Sequence, residues 1–227
     1  SIVGMVGRFA APAAIATAVI GAAKAAISGG VHAETDMVGL KTFLGEAGAK
    51  RAYANIRKDD SSAVFGTSNI LNANRSLISA GVGEKDALTD VRNLANAIAA
   101  VGKGSDEFAR MASNMQQIKT VGKATAMDIR QFDTAGINIY KMLSDATGKN
   151  IDQVKEMDVS YELLSYALAK SADSGGMYAG ALDLLSKTAM GRWHKFKNML
   201  SGVFADLGTT ALPLIKAALE TVTGLLG

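Results

Sequence analysis

The 227-residue sequence has no cysteine, two prolines, two histidines and few aromatic side chains. Without cysteine the chain forms neither disulfides nor thiolate metal sites, which fits assembly in a reducing cytosol. The scarcity of proline leaves long stretches free to form helices. Hydrophobic residues make up 48% of the chain but aromatic residues only 6%, so aliphatic side chains must supply most of the core.

Glycine, by contrast, is abundant, with 24 residues. Most glycines follow runs in which apolar residues recur at spacings of three and four, where a left-handed residue ends a helix. Gly45 and Gly48, for example, are expected to separate two short helices. No segment shows the sustained alternation of a β-strand. The sequence therefore predicts an all-α fold: an array of short amphipathic helices, as a compact module or a bent helical stack, with apolar helices at both ends.

Composition divides the chain into three parts. We predict an apolar helix rich in small residues over residues 1–30, a helical module over residues 31–207, and a C-terminal amphipathic helix over residues 208–227. The apolar run between Arg8 and Lys24 has fifteen residues, fewer than the roughly 20 that cross a bilayer. We therefore favour a helix packed against copies of itself or against the rest of the chain. A membrane-inserting segment and a cleaved signal peptide are the alternatives. Because the chain starts with serine, we expect a fragment or a processed product.

Two helices of the middle region are predicted from periodicity. Between Glu84 and Gly102 the apolar residues share one helix face, and Asp86 and Asp90 lie near the start, where the helix dipole favours acidic side chains. Ser105 is predicted to cap the next helix. Four residues of that helix form a stripe that predicts core packing: Phe108, Met111, Met115 and Ile118.

Further helix starts are predicted from side-chain spacing. Thr125 and Asp128 have the spacing of a capping box, in which each side chain binds the backbone N–H of the other residue. Asn150 and Ser160 are typical N-caps of two later helices. The helices predicted from these signals span residues 125–135, 137–147, 151–157 and 161–172.

The longest uninterrupted apolar pattern runs from residue 181 to residue 207 and predicts one helix. Its apolar face consists of Leu182, Leu185, Ala189, Trp193, Phe196, Leu200, Val203 and Leu207. Residues 192–197 form a basic cluster in which Trp193 and Phe196 alternate with arginine and lysine. We interpret Trp193 as a packed anchor beneath a charged exterior. Stacking on nucleic acid and binding at a membrane interface are the alternatives.

The sequence carries no pattern typical of a catalytic or metal site. His32 and His194 lie in unrelated contexts, and basic neighbours of His194 disfavour a divalent metal. The spacings of a nucleophile elbow, a zinc protease and a phosphate-binding loop are absent. The net charge of +3 is spread over interleaved basic and acidic residues, without the basic patch of a nucleic-acid-binding protein. We therefore predict that the protein is not an enzyme and binds neither cofactor nor metal.

The candidate functional residues are apolar residues suited to membrane contact or self-association. They are Val19, Ile20, Ile27, Trp193, Phe196, Leu214 and Leu219.

The order of motifs resembles the N-terminal region of tape measure proteins of long-tailed bacteriophages and prophages. The matching pieces include the helix with Gln116-Gln117-Ile118, the segment Asp128-Ile129-Arg130-Gln131-Phe132 and the Ala135-Gly136-Ile137 that follows it. They continue with the turn at Gly148, the Gly175-Gly176 doublet and the cluster of Ser186, Thr188 and Gly191. Each motif alone is weak, whereas their order over residues 40–207 is fairly specific.

This resemblance implies a structural protein, present in several copies such as a trimer inside the phage tail tube, around which tube subunits polymerise to a set length. The implied partners are further copies of the chain, the tail tube protein, tail tip or baseplate hub proteins and tail assembly chaperones. The implied locations are the host cytoplasm during assembly, the lumen of the virion tail afterwards, and the host envelope at infection, where the protein would help DNA to cross. The many glycine breaks depart from a continuous measuring rod and favour a folded module.

Two other functions compete with this interpretation. In the first, the apolar ends insert into a bilayer, as in a pore-forming helical protein. In the second, the chain is a muralytic enzyme, because some tape measure proteins carry such domains, although nothing selects two of its 21 acidic residues as a catalytic pair.

Overall fold

A computed structural model describes residues 34–188, 191–193, 196–200, 202–203 and 205–208. The contacts between Cα atoms divide the chain into two units. One unit comprises residues 39–198, and the other combines residues 1–38 with residues 199–227. The described residues of the second unit, at 34–38 and from 199 onwards, are helical.

The described part of the chain is mostly helical. Helical residues run from 34 to 58 (α1). The helices that follow are α2 (Asp60–Phe65), α3 (Thr67–Ser79), α4 (Glu84–Ala100), α5 (Ser105–Val121), α6 (Ala126–Thr134), α7 (Ile139–Thr147), α8 (Ile151–Lys155), α9 (Tyr161–Ala172) and α10 (Ala181–Ser186). After α10, helical residues occur at 191–193, 196–200, 202–203 and 205–208.

The all-α prediction is confirmed. Within the residues just given there is no β-strand, and one isolated antiparallel bridge joins Lys123 to Ser160. At this bridge the Ala124 N–H donates to the Val159 carbonyl over 2.8 Å. The bridge therefore holds the loop after α5 against the loop before α9.

Helix α4 is central to the unit of residues 39–198, because it packs against α2, α3, α5, α9 and α10. Its inward face is made of aliphatic residues: Ala87, Val91, Leu94, Ala95 and Ile98. The predicted core stripe of α5 is confirmed, since Phe108, Met111, Met115 and Ile118 are fully buried. Removing one such side chain from water stabilises the fold by about 1.5–3 kcal/mol, so these stripes hold the helices together.

Several predicted helix starts are confirmed by their hydrogen bonds. Thr125 and Asp128 form the predicted capping box, with the Thr125 N–H donating to the Asp128 carboxylate over 2.7 Å. Asn150 and Ser160 accept backbone N–H groups at the starts of α8 and α9. The helix predicted at 137–147 starts later, because the Asn138 side chain caps it.

The prediction that Ser105 caps α5 was wrong. Gly104 occupies the N-cap position, and Ser105 is the first helical residue. The Ser105 hydroxyl instead donates to the Phe65 carbonyl over 3.0 Å. This contact ties the start of α5 to the end of α2, a tertiary partner that local spacing could not identify.

The single helix predicted over residues 181–207 is also broken. Helix α10 ends at Ser186, and the Thr188 hydroxyl then accepts the Gly191 N–H over 3.0 Å. Such a serine or threonine contact competes with helix continuation. The turn is tight: a Cβ added at Gly191 would lie 2.3 Å from the Leu185 carbonyl oxygen.

Only one of the two glycines expected to separate short helices near the start of the module has an unusual backbone. Gly45 has a φ of +68°, the left-handed conformation that glycine adopts readily. Gly45 and Gly48 both lie within the helical residues of α1, so the predicted separation into two short helices is wrong.

Candidate functional site

The strongest polar contact of the core joins α4 to α9. The Tyr161 hydroxyl donates to Asp90 Oδ2 over 2.6 Å, and the Ser165 hydroxyl donates to Asp90 Oδ1 over 2.5 Å. Asp90 is only 3% exposed. We call Asp90, Tyr161 and Ser165 the buried polar centre. Because both oxygens of the carboxylate accept a hydroxyl, part of the cost of its burial is offset.

Burial and hydrogen bonding act on Asp90 in opposite directions. Burial raises the pKa of the Asp90 carboxyl above its ordinary value, while the hydroxyls of Ser165 and Tyr161 lower it. The charge of Asp86 adds to the rise, and that of Lys119 opposes it. Burial and the adjacent carboxylate also raise the pKa of the Tyr161 phenol. The phenol therefore remains a hydrogen-bond donor at neutral pH.

Lys119 completes the surroundings of this centre from α5. Its ammonium group lies 5.2 Å from the centre of the Tyr161 ring, a cation–π distance. The same group lies 2.6 Å from Glu162, and this ion pair lowers the pKa of the Glu162 carboxyl. The arrangement fixes α4, α5 and α9 relative to one another. The Asp90 carboxylate is not accessible to a substrate. Its role is to hold these helices in position.

Periodicity could have identified the position of Asp90. The residue lies three positions after Ala87 and four before Leu94, which places it on the buried face of α4. A carboxylate on an apolar face predicts a buried partner. The interpretation of Asp90 only as an acidic residue near the helix start, favoured by the helix dipole, missed its buried partner. The identity of the partners, 71 and 75 residues later, has no local signal.

The structure places the two predicted aromatic residues at the surface. The rings of Trp193 and Phe196 stack with centroids 5.7 Å apart, and the side chains are 54% and 45% exposed. We call these two residues the aromatic pair. The interpretation of Trp193 as a packed anchor was therefore wrong. Arg192 and Lys197, next to the pair, are exposed as well.

Three apolar residues of the predicted face lie in the other unit. They are each substantially exposed: Leu200 39%, Val203 51% and Leu207 56%.

The remaining candidate residues lie outside the described residues. They are Val19, Ile20, Ile27, Leu214 and Leu219. Their suggested part in self-association or membrane contact stays a prediction.

One open groove has mixed charge. It has a volume of about 470 Å³, and its wall includes Asp59, Arg92, Asn96 and Asp183. Arg92 lies 3.8 Å from Asp59, and Asn96 accepts the Leu182 N–H over 3.2 Å. These contacts among the wall residues link α4 to α10 and to the start of α2.

Among the described residues, no three His, Asp or Glu side chains come together in a way that could hold a metal ion. No helix of this portion is both long enough and apolar enough to span a bilayer.

Known proteins provide no family for this chain. No protein-family model, curated protein or solved structure matches it. The resemblance to tape measure proteins therefore depends on the sequence motifs alone.

We predict that Asp90→Asn changes how stability depends on pH. The raised pKa means that the folded protein binds this proton more tightly than the unfolded chain, whose Asp pKa is about 3.9. Stability contributed by Asp90 therefore falls as pH rises from about 3.9 through the raised pKa, and is constant above it. Urea unfolding at a series of pH values should show that the free energy of unfolding of Asp90→Asn rises relative to that of the wild type over this pH range.

Glu162→Gln is the matched control, because the pKa of Glu162 is lowered in the folded protein. Its contribution to stability is present above the unfolded pKa and is lost as pH falls, so the difference from wild type has the opposite sign. The difference should be small because Glu162 is exposed. Equal pH dependence of Asp90→Asn and wild type would contradict the assignment of Asp90.

Proposed function

We propose that this chain is a structural, non-enzymatic segment of a phage tail tape measure protein. It acts in tail assembly and length determination inside the tail tube, and in delivery of the genome across the host envelope. The observation that carries the proposal is the exposed aromatic pair of the 39–198 unit. Exposed aromatic rings suit a protein that works by contact with other chains.

The order of motifs over residues 40–207 supports the more specific identity. The proposed partners are further copies of the chain, the tail tube protein, tip or hub proteins and assembly chaperones. The proposed site of action is the tail lumen of the virion, after assembly in the host cytoplasm. The short helices of the 39–198 unit suit a folded module within a longer ruler protein.

We predict that deleting residues 39–198 in frame from the parent phage gene shortens the tail. A continuous helix of this many residues would be about 240 Å long, which sets an upper limit on the change. A folded module contributes less than this limit. Electron microscopy of negatively stained tails measures the length. Tails of unchanged length would remove the length-setting role from this segment.

We predict that the full chain self-associates through the aromatic pair. Trp193→Ser removes the largest exposed side chain of the aromatic pair and should weaken association at least about tenfold, as central aromatic residues often do. Sedimentation equilibrium measures the association constant. Leu184→Ser is the matched control, because Leu184 is 70% exposed but is not part of this pair. Equal losses in both variants, or a monomeric wild type, would contradict the proposal.

A membrane-active, pore-forming protein is the second candidate. The observation that favours it is the aromatic pair beside the exposed Arg192 and Lys197. Aromatic rings next to basic side chains suit the interface of an anionic bilayer. Membrane contact could follow release of the protein from the tail, so the two functions describe successive stages.

We predict that the chain sediments with vesicles that contain anionic phosphatidylglycerol more strongly than with purely zwitterionic vesicles. Binding should fall with added salt, because part of it is electrostatic. Trp193→Ser should reduce binding, whereas Leu184→Ser should not. Dye-filled vesicles report leakage in the same samples. Absence of both binding and leakage would eliminate the membrane function.

A further inference from the structure

Helices α1, α3 and α4 enclose a groove with one unusual wall residue. The groove has a volume of about 360 Å³ and is lined by Ala52, Asn55 and Ile56 of α1, Asn74 of α3, and Glu84, Lys85, Leu88 and Thr89 of α4. This volume is in the range of small-molecule sites. All of these residues belong to the 39–198 unit.

Asn74 is 1% exposed and lies on the buried face of α3. Within the described residues, neither its Nδ2 nor its Oδ1 has a hydrogen-bond partner. Buried carboxamides in folded proteins nearly always have partners, so an orphaned one calls for a ligand or a bound water. Asn114 provides a contrast, since its Nδ2 donates to the Asp128 carbonyl over 3.0 Å.

We propose that this groove binds a neutral ligand that presents an amide group, which pairs with the Asn74 carboxamide. A carboxamide places an acceptor beside a donor on one edge, and the same pair in the complementary order is offered by a second primary carboxamide or by the N–H and C=O of one extended residue. The atoms of the Asn74 amide have almost no solvent-accessible surface. The ligand therefore reaches them after the Asn74 side chain rotates towards the groove.

The other wall residues select among ligand classes. Glu84 and Lys85 carry opposite charges, and Glu84 lies 3.6 Å from Arg51, so the rim lacks the cluster of cations that a phosphate needs. None of the eight wall residues is aromatic, so no ring is available to stack a nucleobase. Ala52, Ile56 and Leu88 supply aliphatic contacts. An aliphatic amide fits this wall better than a nucleotide.

The test uses the isotope-labelled full chain and two-dimensional NMR. The probes are acetamide and the blocked residue N-acetylalanine N-methylamide, and acetone serves as the matched probe without an N–H donor. We expect saturable shifts of the Asn74 side-chain amide and of the Ala52 and Leu88 methyl groups. Acetone should bind at least about tenfold more weakly than acetamide, because it leaves the Asn74 acceptor without a donor.

Asn74→Leu is the decisive variant, because leucine has a similar size and removes the orphaned polar group. It should fold, show a raised Tm, and lose at least about tenfold in affinity for both amides. Gln117→Ala is the matched control, which removes an exposed carboxamide from α5. Its affinity should equal that of the wild type.

The relative affinities of the two amide probes distinguish the source of the ligand. Tighter binding of N-acetylalanine N-methylamide supports a polypeptide segment, and tighter binding of acetamide supports a small metabolite with a primary carboxamide. Equal binding by wild type and Asn74→Leu would overturn the proposal. So would a water molecule that stays in contact with the Asn74 amide at the highest probe concentration.

Discussion

Helix α4 has its apolar face covered by helices from several directions, and a carboxylate lies in the middle of that face. Asp90 remains there because hydroxyls of Tyr161 and Ser165 occupy both of its oxygens. A lone carboxylate at this depth would strongly favour unfolding or protonation. The packing of α4 against α9 and the pairing of Asp90 therefore depend on each other. Helix α5 joins the same centre through Lys119. The contacts of this centre therefore hold α4, α5 and α9 together.

The few aromatic residues are divided between core and surface. Phe65 and Phe108 stack at 5.0 Å inside the 39–198 unit, among leucine, isoleucine, methionine and alanine side chains. Trp193 and Phe196 stack at the surface of the same unit. A chain with so few large apolar residues gains stability by burying them. Leaving the only tryptophan exposed forgoes part of this gain.

Local signals predicted the helices well where the hydrogen bonds are local. The capping box of Thr125 and Asp128 and the caps at Asn150 and Ser160 need only three or four neighbouring residues. The prediction for Ser105 failed because its hydroxyl binds Phe65, 40 residues earlier. The helix over 181–207 failed because periodicity cannot detect a close approach such as that of Gly191 to Leu185. The sequence predicted that Trp193 and Phe196 share a helix face, but it did not predict that their side chains are exposed.

The sequence by itself determined the all-α class, most helix starts and the apolar stripe of α5. These features follow from backbone hydrogen bonding and side-chain periodicity within a few turns of helix. Only the tertiary structure decided that Asp90 meets Tyr161 and Ser165, that Asn74 is buried without a partner among the described residues, and that Trp193 lies at the surface. Each of these depends on which helices pack together. That choice is made by contacts between residues far apart in the chain, whose energies no local pattern contains.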